Sequence, residues 1–164
     1  MLLRDATPAD APALLALNEA SVAVLSPMDA PRLAALQRNA ALCRVVEDAG
    51  RVRAFVLAFR EHADYDSPNY RWFDQRYPRF IYVDRVVVEA AYRGRGLGRR
   101  LYANVFALAR REQVPLVACE FDVEPPNAAS ERFHARMGFR EAGVQRLGES
   151  GKRVSLQVAR VDEA

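Results

Sequence analysis

The chain reads RVVVEAAYRGRGLGRRLY at residues 85–102, and the character of the sequence changes twice within this stretch. Residues 86–88 are consecutive valines, which are β-branched and favour a buried strand. Glycines then occupy positions 94, 96 and 98, where they let the backbone bend sharply. From Leu97 onward the apolar residues recur at the spacing of one helical face. The stretch therefore predicts a strand, a glycine-rich turn and a helix in direct succession.

The predicted turn has the chemistry of an anion site. The start of a helix carries unpaired N–H groups and roughly half a positive charge. Glycines in front of it let a phosphate approach those groups closely. Formal positive charge comes from Arg93, Arg95, Arg99 and Arg100. The turn therefore predicts a nucleotide-type cofactor held by its diphosphate, with a purely structural strand-to-helix connection as the alternative.

The spacing of the glycines can be compared with the known phosphate-binding loops. A Walker loop needs a Gly-Lys-Ser/Thr ending, which the chain lacks. A dinucleotide loop needs Gly-x-Gly-x-x-Gly, and counting from Gly94 or from Gly96 puts a non-glycine residue at the sixth position. Glu120 does lie at a distance suited to a ribose-binding acid, so an enzyme that uses a dinucleotide such as NAD stays open.

Two motifs fit one family together. The first is Arg93-x-x-Gly96-x-Gly98, and the second reads NAASERFHARMGF at residues 127–139. The first resembles the coenzyme A pyrophosphate loop of the GNAT superfamily of acyl-CoA-dependent N-acyltransferases. The second is similar to the Asn-x-x-Ala/Ser-x-x-x-Tyr-x-x-x-Gly-Phe segment of that family. The order of predicted strands and helices extends the resemblance over almost the whole chain.

The resemblance implies an α/β (α+β) fold. We expect a mixed, mostly antiparallel sheet of six to seven strands, flanked by helices on both faces, in a single domain over residues 1–164. Alternating residues predict hairpins at 41–60 and at 141–160, the second with its turn at 149–152.

The resemblance also implies acetyl-CoA or coenzyme A as cofactor. The backbone N–H near Val86 would bind the thioester carbonyl, and the backbone of Val88 would pair with the pantetheine amides. The residues expected to contact the cofactor are Val86, Val87, Val88, Arg93, Gly94, Arg95, Gly96, Leu97, Gly98, Arg99, Asn127, Ser130 and His134.

Two carboxylates are candidate general bases for the incoming ammonium group. Glu120 falls in the middle of a predicted strand, where an acid is unusual unless it faces a polar cavity or a partner. Asp84 precedes Val86 by two positions and shares its face of the predicted strand. For each residue a salt bridge with a nearby arginine is an equally weighted alternative.

His134 departs from the family pattern, which most often has tyrosine at that position. A phenol with a pKa of about 10 is always protonated at neutral pH, whereas an imidazole near 6.5 is mostly neutral. We therefore count His134 with Glu120 and Asp84 among the candidate catalytic residues and leave the identity of the acid open.

Residues 61–79 form the least regular part of the chain and are rich in aromatic side chains. A loop of this length in a compact domain is usually functional. We interpret it as a lid over the acceptor site, with a short helix around Trp72 and Phe73. A dimer contact or a packed surface loop is the alternative.

Composition narrows the choice of function. The chain has 164 residues, 51% of them apolar, and a net charge of +3. This charge is too small to indicate nucleic acid as a partner. No apolar run predicts a membrane span or a signal peptide, and the two histidines and two cysteines suggest no metal site. Two isolated cysteines favour a reduced, cytoplasmic protein.

The function expected from these features is transfer of an acetyl group from acetyl-CoA to a primary amine by direct attack. The alternative is a non-catalytic acyl-CoA-binding or sensor module of the same fold. A small molecule or a peptide can provide the amine, and the resemblance allows a homodimer.

Overall fold

The computed structural model describes residues 1–22, 25–148 and 151–163. The strands are β1 (Leu2–Asp5), β2 (Leu42–Asp48), β3 (Arg51–Arg60), β4 (Ile81–Val88), β5 (Leu116–Glu124), β6 (Arg140–Leu147) and β7 (Lys152–Arg160). The α-helices are α1 (Ala11–Ala20), α2 (Ala30–Asn39), α3 (Pro68–Asp74), α4 (Leu97–Arg111) and α5 (Ala128–Arg136). Short 3-10 turns cover Pro8–Asp10, Ala90–Tyr92 and Val161–Glu163.

The seven strands form a single sheet in the order β1-β2-β3-β4-β5-β7-β6. β4 and β5 are parallel, while β1/β2, β2/β3, β5/β7 and β6/β7 are antiparallel. The predicted fold class, a mixed and mostly antiparallel sheet with helices, is confirmed. Both predicted hairpins are present, although residues 149 and 150 of the second turn lie outside the described residues.

The chain divides into two compact units, and each contains two separate segments. The first unit comprises Met1–Phe59 and Val83–Val105, and the second comprises Arg60–Tyr82 and Phe106–Ala164. Both β4 and α4 contribute residues to each unit.

The first unit is built on α1 and α2, which pack on its strands through an apolar core. The buried members of this core are Leu14, Leu17, Leu33, Val45, Phe55 and Val87. Arg44, next to Val45 on β2, points to the other face and donates a hydrogen bond to Asn104 Oδ1 of α4 at 3.0 Å. Helices therefore cover both faces of the strands in this unit.

In the second unit, α3 and α5 lie on opposite faces of β5. Register places Glu120 of β5 beside Leu156 of β7, which in turn pairs with Gly143 of β6. The Trp72 ring of α3 packs on this row at Gly143. The neighbouring residue of β5, Phe121, stacks on His134 of α5 instead. Among the residues that the structure describes, no helix is both long enough and apolar enough to cross a membrane.

Candidate active site

The glycine-rich turn has the conformation that the sequence predicts. After β4 and the 3-10 turn, Arg93 is extended with φ −64° and ψ 149°. Gly94 and Gly96 then adopt left-handed φ values of +79° and +80°, which side chains disfavour. α4 begins immediately at Leu97. A Cβ added at either glycine would meet no described atom within 4 Å, so the backbone conformation, and not a lack of space, requires glycine there.

The turn presents positive groups to solvent. Leu97 is only 3% exposed and anchors the start of α4 in the core. Around this anchor, Arg93, Gly94, Arg95, Gly96, Arg99 and Arg100 are exposed. Since the first turn of a helix has N–H groups without helical acceptors, the exposed glycines leave room for an anion beside them.

Tyr92, directly before the glycine-rich turn, contacts one carboxylate and two arginine side chains. Its hydroxyl donates to Asp48 Oδ2 at 2.7 Å, a hydrogen bond that raises the pKa of Tyr92 and lowers the pKa of Asp48. The guanidinium carbons of Arg95 and Arg53 lie 4.4 Å and 4.7 Å from the Tyr92 ring centroid. Arg53 also forms a salt bridge with Glu89, with 2.9 Å between Arg53 Nη1 and Glu89 Oε2. In the sequence, the only signal for this role of Tyr92 is an aromatic residue directly before the arginine-glycine run, and Tyr92 was not among the predicted site residues.

On β4, Asp84 takes part in a buried polar network. Its Oδ2 lies 2.5 Å from Nε of Arg85, and each side chain is 5% exposed. Arg85 Nη1 donates to Asn18 Oδ1 of α1 at 2.7 Å, and Asn18 in turn donates to the Ser26 carbonyl at 3.1 Å. The salt bridge considered as an alternative for Asp84 is therefore present. Beyond this network, Val86 and Val88 are half-buried and Val87 is buried.

Glu120 of β5 has a tyrosine hydroxyl among its partners. The Tyr82 hydroxyl lies 2.8 Å from Oε1 and 2.7 Å from Oε2 of Glu120. Tyr82 is 1% exposed, whereas Glu120 is half-buried. Cys119 points to the opposite face and is 2% exposed. Tyr82 was not among the predicted site residues, because its contact with Glu120 depends on the parallel register that pairs Tyr82 with Ala118.

The aromatic segment 61–79 packs around Tyr82. The predicted short helix is α3, and its Tyr70 and Phe73 rings lie 5.5 Å and 5.7 Å from the Tyr82 ring. Tyr65 lies 6.5 Å from Tyr82, and all three rings are buried. The segment is therefore an ordered part of the second unit, packed beside the Tyr82–Glu120 pair.

His134 lies in an aromatic pocket on α5. Phe121 stacks on its ring at 5.5 Å, and Phe133 and Phe139 pack edge-on at 5.3 Å and 5.5 Å. Nδ1 lies 2.7 Å from the Ser130 carbonyl, which can only accept, so Nδ1 carries the proton. Burial lowers the pKa of His134, and the Ser130 hydrogen bond offsets part of this effect. The imidazole is therefore neutral at neutral pH.

The structure groups some of the predicted residues and separates others. Asn127 accepts the Ser130 N–H at 3.3 Å, and the Ser130 hydroxyl lies 3.2 Å from His134 Nδ1, so these three form one cluster at the start of α5. Glu120 does not join them, because Phe121 faces His134 and successive strand residues point to opposite faces.

Comparisons with known proteins agree on one family. The sequence profile described as the acetyltransferase (GNAT) family matches residues 13–139. A phosphinothricin N-acetyltransferase from Streptomyces coelicolor is 46% identical over 54 residues, which cover 32% of this chain and 30% of that protein.

Solved structures resemble the entire chain. The ribosomal-protein-alanine N-acetyltransferase from Brucella melitensis has a TM-score of 0.75 at 25% identity, covering 98% of this chain and 99% of the other. The yncA protein of Salmonella typhimurium, solved with its cofactor acetyl-CoA, has a TM-score of 0.72 at 23% identity, covering 100% and 95%. With the profile match extending from α1 to the end of the α5 motif, the chain belongs to the GNAT family of acyl-CoA-dependent acetyltransferases.

Proposed function

We propose that this chain transfers an acetyl group from acetyl-CoA to a primary amine. The observation that carries the proposal is the turn at residues 93–98, in which two left-handed glycines lead directly into the first turn of α4. The exposed arginines around that turn add formal charge to the partial charge of the helix. A strand-to-helix connection with no ligand would need neither the open space above the glycines nor this charge.

The residues present fit the cofactor. A diphosphate needs N–H donors, positive charge and unobstructed approach, and the turn offers all three. We assign diphosphate binding to residues 93–99, with Arg95 held in place by its stacking on Tyr92. The backbone of β4 from Val86 to Val88 would pair with the pantetheine arm, and Asn127, Ser130 and His134 would contact it from α5.

Acetyl-CoA supplies an activated acetyl group as a thioester. The chain would contribute a backbone N–H near Val86, which stabilises negative charge on the carbonyl oxygen. It would also contribute Glu120, whose carboxylate removes a proton from the incoming ammonium, directly or through a water molecule. Holding the amine and the thioester in line would provide most of the remaining acceleration.

Of the two carboxylates we favour Glu120 as the base. The Asp84 carboxylate faces the cationic Arg85 within a buried network that extends to Asn18. Glu120 is instead half-buried, and the Tyr82 hydroxyl lies within hydrogen-bond distance of both of its oxygens, which orients the carboxylate. We assign Asp84 the role of anchoring Arg85 and α1 against β4.

We assign no proton transfer to His134. A neutral imidazole whose Nδ1 proton is donated to Ser130 does not deliver a proton at neutral pH. In this proposal His134 contacts the cofactor, and the departing thiolate takes its proton from solvent.

The acceptor is a primary amine of a small molecule or of a peptide. The relatives named above act on phosphinothricin and on a ribosomal-protein alanine, which are a small amino compound and a polypeptide residue. We also propose a cytoplasmic location, because the two cysteines lie in different strands, half-buried Cys43 in β2 and buried Cys119 in β5.

Thermal unfolding with acetyl-CoA, coenzyme A and NAD at equal concentrations tests the cofactor. A ligand that binds only the folded state adds about 2.7 kcal/mol at a hundred times its dissociation constant, so modest binding is measurable. We expect a rise in Tm with acetyl-CoA and coenzyme A and none with NAD. A rise with NAD alone would instead support the dinucleotide enzyme.

The Gly96→Glu variant tests the turn itself. A side chain at φ +80° strains the backbone, and its carboxylate repels a diphosphate, so the acetyl-CoA shift should disappear. Gly151→Glu is the matched control, since Gly151 also has a left-handed φ of +70° but lies in the β6–β7 turn. An unchanged acetyl-CoA shift in Gly96→Glu would refute the assignment of the turn.

A non-catalytic acyl-CoA-binding module is the second candidate. The observation that favours it is the neutral, buried His134 at the position where the family most often has tyrosine. Turnover of acetyl-CoA with a panel of amines and peptides distinguishes the two functions. Release of thiol with any acceptor supports the enzyme, and binding without release supports the module.

A further inference from the structure

We propose that Tyr82 positions the Glu120 carboxylate for proton transfer, and that the aromatic segment 61–79, which contains α3, holds Tyr82 in place. The inference rests on the proposed acetyltransferase function, in which Glu120 is the base. It adds a residue and a supporting segment that the family motifs in this chain do not contain.

The first support is the hydrogen-bond geometry. The Tyr82 hydroxyl lies between the two oxygens of Glu120, at 2.8 Å and 2.7 Å. Because it contacts both oxygens, rotation of the carboxylate about its terminal bond would lengthen one of the contacts. Tyr82 therefore fixes the plane of the carboxylate.

The second support is the immobility of Tyr82. Its side chain is 1% exposed and lies in a cluster with Tyr65, Tyr70 and Phe73. Tyr70 is itself fixed, because its hydroxyl donates to the Arg60 carbonyl at 2.5 Å and accepts the Ala63 N–H at 3.0 Å. Burial raises the pKa of Tyr70 to about 12, so this hydroxyl remains protonated. The hydroxyl that orients Glu120 thus belongs to a ring with little freedom to move.

The third support is the contact of α3 with the row of paired residues, one from each of β5, β7 and β6, that contains Glu120. A Cβ at Gly143 would lie 2.4 Å from Cζ2 of Trp72, so only glycine allows this approach. Beside this contact, Gln145 of β6 donates to Asn69 Oδ1 of α3 at 3.2 Å. Register connects Gly143 through Leu156 to Glu120. The helix that packs on Tyr82 is therefore fixed to the row that holds Glu120.

Other charged and titratable groups lie on the elements around Glu120. Asp122 shares its face of β5 and forms an ion pair with Lys152 of β7 at 2.9 Å. On β4, Asp84 shares the face of Tyr82 and forms an ion pair with Arg85. The 61–79 segment contributes the hydroxyls of Tyr65 and Tyr70, whose rings pack on Tyr82. The Tyr82→Phe substitution removes a donor to the Glu120 carboxylate and leaves these groups in place.

The test is Tyr82→Phe, which keeps the ring and removes only the oxygen. General base catalysis contributes roughly 100- to 10,000-fold, so loss of its alignment should lower kcat by about tenfold. A carboxylate that loses a donor is easier to protonate, so the acidic limb of the kcat profile should move to higher pH. The KM for acetyl-CoA should stay within about twofold, because uniform binding of the cofactor is not altered.

Tyr77→Phe is the matched control. It removes a hydroxyl from another tyrosine of the 61–79 segment, whose ring stacks on Phe73 at 6.4 Å. The ring cluster around Tyr82 keeps its hydroxyls in this variant, so the pH profile should stay unchanged. A second readout needs no turnover: the carboxyl carbon of Glu120, observed by NMR, should titrate at higher pH in Tyr82→Phe and not in Tyr77→Phe.

If Tyr82→Phe loses stability but keeps kcat and the pH profile, Tyr82 is a core residue and the assignment is overturned. If the wild-type protein binds acetyl-CoA but releases no thiol with any acceptor, the proposed function fails, and the positioning role fails with it. A shifted profile in Tyr82→Phe beside an unchanged profile in Tyr77→Phe would support the assignment.

Discussion

At the scale of single residues, His134 shows how burial determines what a side chain can do. Its folded-state pKa is lowered mainly by burial, so the unfolded chain binds the proton more readily. The imidazole of the unfolded chain has a pKa of about 6.5. The contribution of the buried, neutral imidazole to stability should therefore be fully present above that pH and be lost as the pH falls through the folded-state pKa. We expect His134→Phe to remove this part of the pH dependence, as measured by urea unfolding at several pH values from 5 to 7.5.

A core variant that keeps the imidazole provides the control for that prediction. Leu14 is fully buried in the core of the first unit, so Leu14→Ala should lower stability at every pH. Leu14→Ala should therefore keep the wild-type slope between pH 5 and 7.5. If His134→Phe kept the same slope too, the buried imidazole would not be the group that titrates.

At the scale of elements, the contact between α3 and β6 makes a prediction of its own. Gly143→Ala would place a methyl group 2.4 Å from Trp72 Cζ2, and the ring lies under Arg76 at 4.0 Å. The ring must move, so the substitution should lower the free energy of unfolding by about 1–3 kcal/mol. Chemical denaturation of the purified variant measures this loss.

A double-mutant cycle identifies the cause of the loss. Trp72→Ala removes the ring that the added methyl group would strike, so Gly143→Ala should cost little in that background. An equal cost with and without Trp72 would mean that the glycine is needed for its backbone and not for the approach of α3.

The same elements show where sequence reasoning succeeds and where it stops. Helix α4 was predictable because its apolar period and the glycines before it are local features, and the helix begins at Leu97, where the helical period begins in the sequence. The Tyr82–Glu120 pair was not predictable, because it depends on the register of two parallel strands joined by a long connection. The Trp72–Gly143 contact depends on β6, which is even more distant along the chain from α3.

At the scale of the whole molecule, the order of the strands is the part that pattern alone leaves open. Alternating residues predicted β5, β6 and β7, yet β7 lies between the other two in the sheet. The family resemblance, which two short motifs carry, predicted a mixed, mostly antiparallel sheet but did not specify this order. The first motif also contains residues of the glycine turn, whereas Asp84, Glu120 and their partners Arg85 and Tyr82 lie outside both motifs.

The charge of the whole molecule leads to the last prediction. The net charge is only +3, so long-range attraction of an anionic cofactor is weak, and binding should depend on the exposed arginines close to the turn. Raising the salt concentration from 0.1 M to 1 M shortens the screening length from about 10 Å to about 3 Å and should weaken coenzyme A binding. Acetyl-pantetheine, which lacks the diphosphate, should be much less sensitive, as calorimetry can measure.

Arg99→Ala should reduce the salt dependence for coenzyme A, whereas Arg51→Ala, at an exposed position in the β2–β3 hairpin, should leave it unchanged. Equal salt dependence for the two ligands would show that the arginines of the turn do not bind the diphosphate.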